Sequence, residues 1–225
     1  MGHSGLPPAR PLGRNDPVSE PHAFCRRGES PPADTVTTHQ VHGSAVLYVA
    51  GTPPVPAAEQ GDALITDQPG VAVGVRTADC QPLLLSARNG AVVAAVHAGW
   101  RGTVEGITTA TVDVFRRRFG VQPEEIDALL GPSIRPCCYE VGPEVADQVR
   151  TRFPRFADRV IGTFRSGRPT LDVATLNRLQ LEAAGVRSIH DQGGCTHCGT
   201  GYESYRRDGD AAGRMVAWIR CATTP

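Results

Sequence analysis

Cys80 and His97 are the side chains of this sequence best placed to do chemistry. Each follows a short apolar run: residues 71–75 lead into Arg76-Thr77-Ala78-Asp79-Cys80, and residues 91–96 into His97-Ala98-Gly99-Trp100-Arg101-Gly102. Ligands of open α/β sheets sit beyond strand ends, so the two residues are candidates for one site. Upstream, His39-Gln40-Val41-His42-Gly43 offers two histidines three positions apart. Alternation along a strand points them to opposite faces, so at most one should join the site. A thiolate with two imidazoles is a metal-ligand set, and three protein ligands with a fourth position open is the layout of catalytic zinc. The long separations match no short zinc motif, so residue type leaves a second reading open: a small buried thiol and two locally satisfied core histidines.

Cations come next. The turn 99–102 runs into a helix expected from Thr103, and its amides, its glycines and Arg101 suit an oxyanion or a phosphate. A tight strand-to-helix connection would need the same glycines. Tyr205-Arg206-Arg207-Asp208-Gly209 adds two arginines; if the segment is extended they face opposite ways and one enters the site. Cys195-Thr196-His197-Cys198 reads as half of a structural zinc site, but the pair available to complete it is Cys137-Cys138. Neighbours in sequence seldom both ligate, so the expectation is ordinary thiols.

Composition removes other chemistries. All 23 basic residues are arginine, which excludes a Schiff-base lysine, a pyridoxal-phosphate lysine and the lysine of a phosphate-binding loop. With 23 acidic residues the chain carries no net charge, and its one basic run is 116–118, so no nucleic-acid partner is expected. The longest clean apolar run, 91–96, is far short of a membrane span, and residues 1–14 lack the apolar core of a signal peptide. A cytoplasmic protein is expected, with its seven cysteines reduced. No histidine has glutamate two positions on, as the zinc deaminases need, and no nucleophile elbow or dinucleotide fingerprint occurs.

The positioning elements are short apolar runs alternating with helical periodicity. Strands are expected over 35–49, 62–66, 71–75, 82–86 and 91–96, with weaker ones over 126–130, 186–190 and 215–219. Several are apolar on both faces and should be covered by helices. One helix is expected over 103–119, ending in arginines and Gly120; a second opens at Pro143; a third is capped by Asp172 and stopped by Gly185. Residues 1–20 read as a flexible tail, residues 51–60 as a loop, and 21–225 as one domain of mixed α/β (α+β) class, a layered mixed sheet covered by helices.

Taken in order, His39 to Gly43, Arg76 to Pro82, Val96 to Gly102, Gly131 to Ile134, Cys138 to Gly142 and Tyr205 to Gly209 resemble the laccase-domain family. Its bacterial members carry the names polyphenol oxidase, purine nucleoside phosphorylase and peptidoglycan editing factor. The resemblance runs from about Phe24 to Ile219 and implies a fold similar to the catalytic fold of deamidating bacterial toxins. It implies a metal, zinc or copper, on His42, Cys80 and His97. It implies phosphorolysis of adenosine, inosine, guanosine or methylthioadenosine, with deamination of adenosine as a further activity. On that basis Asp79, Cys80 and His97 are the catalytic candidates, and Arg76, Arg101, Arg206 and Arg207 the candidates for phosphate or nucleoside. One departure stands out: the segment and helix that follow Phe24-Cys25-Arg26-Arg27-Gly28 in the family are missing before Thr35, which implies a shortened wall at the site.

Other readings compete. A cysteine hydrolase would pair Cys80 as nucleophile with His97 as base. A peptidoglycan-precursor editing amidase, a copper-dependent polyphenol oxidase and a metal-binding paralogue without turnover follow from the family's other names and from the shortened wall. A multicopper oxidase needs a rich supply of paired histidines, and this chain has seven histidines with no His-x-His pair. A monomer or small homo-oligomer is expected.

Overall fold

The computed structural model describes residues 22–51, 59–87 and 90–223. The tail expected over 1–20 lies outside the described residues, as do residues 52–58 of the expected loop.

Two strands make the centre of the molecule. β5 (Gln81–Ala87) and β6 (Val92–Ala98) are buried along their whole length on both faces and pair antiparallel, Leu84 opposite Ala95. Outward from them a six-stranded mixed sheet is completed by β7 (Ile126–Leu130) and β10 (Ser188–Asp191) on one side, and by β3 (Ala63–Thr66) and β2 (Val46–Tyr48) on the other. Pleating sends alternate side chains to opposite faces. Leu83, Leu85, Ala94 and Val96 therefore pack with Ile107, Phe115 and Leu181 of the helices. Leu84, Val93 and Ala95 pack instead with Val73, Val75, Ala217 and Ile219. The latter belong to a second, three-stranded antiparallel sheet in which β11 (Met215–Arg220) lies between β1 (His22–Phe24) and β4 (Ala72–Thr77). Helices cover one face of the main sheet, as expected; the other face is covered by the smaller sheet. A fully buried leucine contributes about 1.5–3 kcal/mol to such a core.

The helix expected over 103–119 is two. α1 (Trp100–Glu105) begins directly after Gly99 and is broken by Gly106, whose φ of 92° ends one helix and starts α2 (Ile107–Phe119). α3 (Pro143–Arg152) and α5 (Val173–Ala184) form where expected, the second with the Asp172 carboxylate accepting from Thr175 N at 2.9 Å. Between them lie α4 (Ala157–Val160) and a hairpin of β8 (Ile161–Thr163) with β9 (Pro169–Leu171).

The single strand expected over 35–49 does not form. Val36 and His39 make isolated bridges, and only β2 is regular. The cause is Asp62, wholly buried, which accepts the consecutive amides of Val41, His42 and Gly43 and so turns them toward one point. From 205 to 208 the chain is a helical turn, α6 (Tyr205–Asp208), rather than extended. Among the described residues no helix follows β1 before Val36, and no helix is long and apolar enough to cross a membrane.

Candidate active site

The connection from β4 to β5 carries the chain from the small sheet to the large one, and Asp79 and Cys80 lie in it. Cys80 thus meets His97, which points off the end of β6 on the face that looks toward the small sheet. His42 arrives from the turn held by Asp62. One ligand atom from each of the three lies within 4.8 Å of the others. The two imidazoles meet edge to face, ring centroids 4.9 Å apart. His39 lines the same cavity but stands outside the ligand group, although strand alternation is not the reason, since His42 sits in a left-handed turn with φ 62°.

Asp62 is the residue that reading the sequence missed. Besides its three amides, it bonds His97 Nδ1 at 2.7 Å, leaving Nε2 for the ligand group. An outer carboxylate of this kind orients a ligating imidazole and raises its basicity. Its trace in the sequence is slight: an acidic residue at the start of the expected strand 62–66, just before Ala63-Leu64-Ile65. Burial works against charge on His97, but the Asp62 bond and the Cys80 thiolate raise it to about 9. Burial likewise opposes ionisation of Cys80, yet the hydrogen bonds and charge of His42 and His97 bring it down to about 6. A thiolate on Cys80 and an imidazolium on His97 thus favour one another.

Gly99 caps α1 against this cluster. A Cβ there would stand 3.0 Å from His42 Cδ2 and 3.1 Å from Cys80 Sγ. Gly99→Ala is expected to weaken metal binding about 10-fold or more while far-ultraviolet circular dichroism stays unchanged, because the methyl displaces ligands and not the core. Competition with a coloured chelator would measure it, and wild-type affinity would show that the glycine has no such role.

The ligand group opens into a cavity of about 660 Å³, within the range of small-molecule sites. Trp100 and Tyr139 give it aromatic walls, and Arg76, Arg101, Arg206 and Arg214 line it. Arg214 was not among the sequence candidates. Arg206 extends over the Tyr139 ring at 5.2 Å and donates to Glu140 O at 3.0 Å. Arg101 lies 4.6 Å over the Trp100 ring. Arg207 is a correction: its guanidinium donates to the carbonyls of Thr196, His197, Gly199 and Tyr202 and to Asp208, so it fastens a loop and does not line the cavity. The two arginines diverge because they sit on a helical turn. Both Asp79 oxygens are engaged, one by Thr196 Oγ1 at 2.6 Å and one by Arg206 N at 2.7 Å. The helix whose start is expected to hold phosphate, α1, is six residues long, and its Gly99 cap packs on the Cys-His-His cluster.

The fold layers two sheets under one helical face, with a Cys-His-His cluster where the sheets meet. The chain belongs to the multi-copper polyphenol oxidoreductase laccase family, whose profile matches residues 17–222. It is similar to a purine nucleoside phosphorylase of Deinococcus radiodurans, 42% identical over 83% of this chain and 70% of that protein. A protein named adenosine deaminase RL5, from an unknown prokaryotic organism, is 39% identical over 72% of this chain and 63% of its own length. Among solved structures, YlmD of Geobacillus stearothermophilus superposes with a TM-score of 0.75 at 34% identity, over 84% of this chain and 74% of that one. A Bacillus licheniformis protein, YfiH, gives 0.77 at 32% identity, again over 84% and 74%.

Proposed function

We propose that this chain is a metal-dependent purine nucleoside phosphorylase acting on adenosine, inosine, guanosine or methylthioadenosine, and that it also deaminates adenosine. The observation that carries the reading is the joining of the His42, Cys80 and His97 cluster to one cavity lined by four arginines and by the rings of Trp100, Tyr139 and Tyr205. Relatives named for both activities support it.

A soft thiolate with two imidazoles, one oriented by a carboxylate, fits zinc first and copper second. When bound by His42, Cys80 and His97, such an ion supplies Lewis-acid polarisation beside the cavity. The chain's own residues do the rest. Arg76, Arg101, Arg206 and Arg214 hold phosphate and offset its charge as an oxygen forms a bond to C1′ of the ribose. The C1′–N9 bond breaks, its electron pair leaves with the purine, and the base takes up a proton; the products are ribose 1-phosphate and free base. Trp100 and Tyr139 offer faces for the purine. Asp79, with both oxygens occupied, positions Arg206 and the 196 loop. In deamination, water adds at C6 of the purine and ammonia leaves. The protein is placed in the cytoplasm, where nucleosides and phosphate are available and thiols stay reduced.

Incubation of purified, metal-loaded protein with inosine and phosphate should give hypoxanthine and ribose 1-phosphate. Metal-loaded protein that releases neither free base nor the matching sugar 1-phosphate from any of the four nucleosides would overturn the assignment. Oxidation of phenols is less well supported, because among the described residues only one group of three or more ligands contains histidine.

The thiolate and imidazolium pair favours a second reading, a cysteine hydrolase. The two part on one measurement. If Cys80 is a ligand, iodoacetamide should leave it untouched in metal-loaded protein and label it after chelation, down to about pH 6, where its thiolate persists. Full labelling of metal-loaded protein would favour the nucleophile.

A further inference from the structure

We propose that Cys137, Cys138, Cys195 and Cys198 form a second, structural zinc site that ties the loop after β7 to the loop before α6. Their four sulfurs lie within 4.8 Å of one another, with Cys138 at 3.2 Å and Cys137 at 3.8 Å from Cys198. Four thiolates around zinc at about 2.3 Å stand about 3.8 Å apart along the edges of the tetrahedron. The cluster already has nearly those dimensions. A disulfide would draw two sulfurs together at about 2.0 Å, and Cys198 stands well beyond that from both Cys137 and Cys138.

Adjacent cysteines seldom both ligate when they lie on a strand, where neighbours diverge. Here they lie on a tight turn: the amides of Cys138 and Tyr139 both donate to Arg135 O, at 2.9 and 3.0 Å. Across from it a second turn closes through Gly199 N to Cys195 O at 3.0 Å, bringing Cys198 back beside Cys195. Backbone bonds from Ser133 N to Gly194 O and from Thr196 N to Ser133 O set the two turns side by side.

A divalent cation deprotonates coordinating thiols. Cys137 and Cys198 are exposed, which gives the ion a route in.

Such a site would brace the cavity. Thr196 follows Cys195 and donates to Asp79, and Tyr139 follows Cys138 and carries Arg206 on its ring. No step of the proposed reaction depends on it, so its test is independent of that reading.

Elemental analysis of the triple variant His42→Ala, Cys80→Ala, His97→Ala should still find one zinc per chain. Loaded with cobalt(II), that variant should show the intense thiolate-to-metal absorption and visible bands of a four-sulfur tetrahedron. A folded triple variant that binds no zinc, or cobalt without that spectrum, would overturn the proposal. Should the triple variant fail to fold, Cys198→Ser in the otherwise intact chain should lower bound zinc by one equivalent; an unchanged metal count would count against the site. A disulfide among these four cysteines in the purified, unreduced protein would also overturn it.

Discussion

His97→Ala is expected to empty the Cys-His-His cluster of metal and to bring nucleoside cleavage down to background. His97 is buried, with one ring nitrogen held by Asp62 and the other turned to Cys80 and His42. Partners outside a metal's ligand set are worth about 10–100-fold in affinity or activity, and a ligand itself should cost more than about 100-fold. Cys80→Ala and His42→Ala should behave alike. His39→Ala and His190→Ala are the controls: the first lines the cavity without joining the ligands, and the second is exposed on β10. Metal per chain, compared with the triple variant as baseline, reads the result. Equal metal loss from His39→Ala would show that the wrong histidine had been assigned.

The second large effect is expected at Asp62. Asp62→Ala leaves three amides and the His97 imidazole without their shared acceptor in a wholly buried place. Removing one member of a buried pair costs about 3–5 kcal/mol, and urea denaturation should show a loss of that size. Asp62→Asn separates support of the fold from support of the metal. The amide keeps the shape and one acceptor oxygen, so stability should fall less, while metal affinity drops about 10–100-fold through the weakened grip on His97. Equal metal affinity in Asp62→Asn and wild type would remove Asp62 from the site.

Much of this molecule was legible because its central strands are apolar on both faces and its helices carry their own stop signals. Pro143 opening a helix, Asp172 capping one and Gly185 ending it are local effects, and local effects survive folding. His42, Cys80 and His97 stood out by residue type, and the fold brings them together. What could not be read depends on tertiary contact. A run of β-formers gave way between 41 and 43 because a carboxylate about twenty residues further on claims three amides at once. Arg206 and Arg207 part company because a serine caps their turn, Ser204 accepting from Arg207 N. The four-cysteine cluster escaped for the same reason: two turns distant in sequence had to be set side by side by backbone pairing before neighbouring thiols could converge.

The crossing from β4 to β5 has a bearing on folding as well as on chemistry. His42 precedes an edge strand, Cys80 lies on the direct link from β4 of the small sheet to β5 of the large one, and His97 belongs to a central strand. An ion held by all three would tie the link that leaves the small sheet to two parts of the large one, beside the packing and the backbone bonds that already join the layers. It binds the native arrangement and not the open chain, so its binding free energy adds to resistance against sliding of one sheet over the other. Chelation should then loosen the protein along that seam first, with hydrogen exchange rising in β4 and β11 before it rises in β5 and β6.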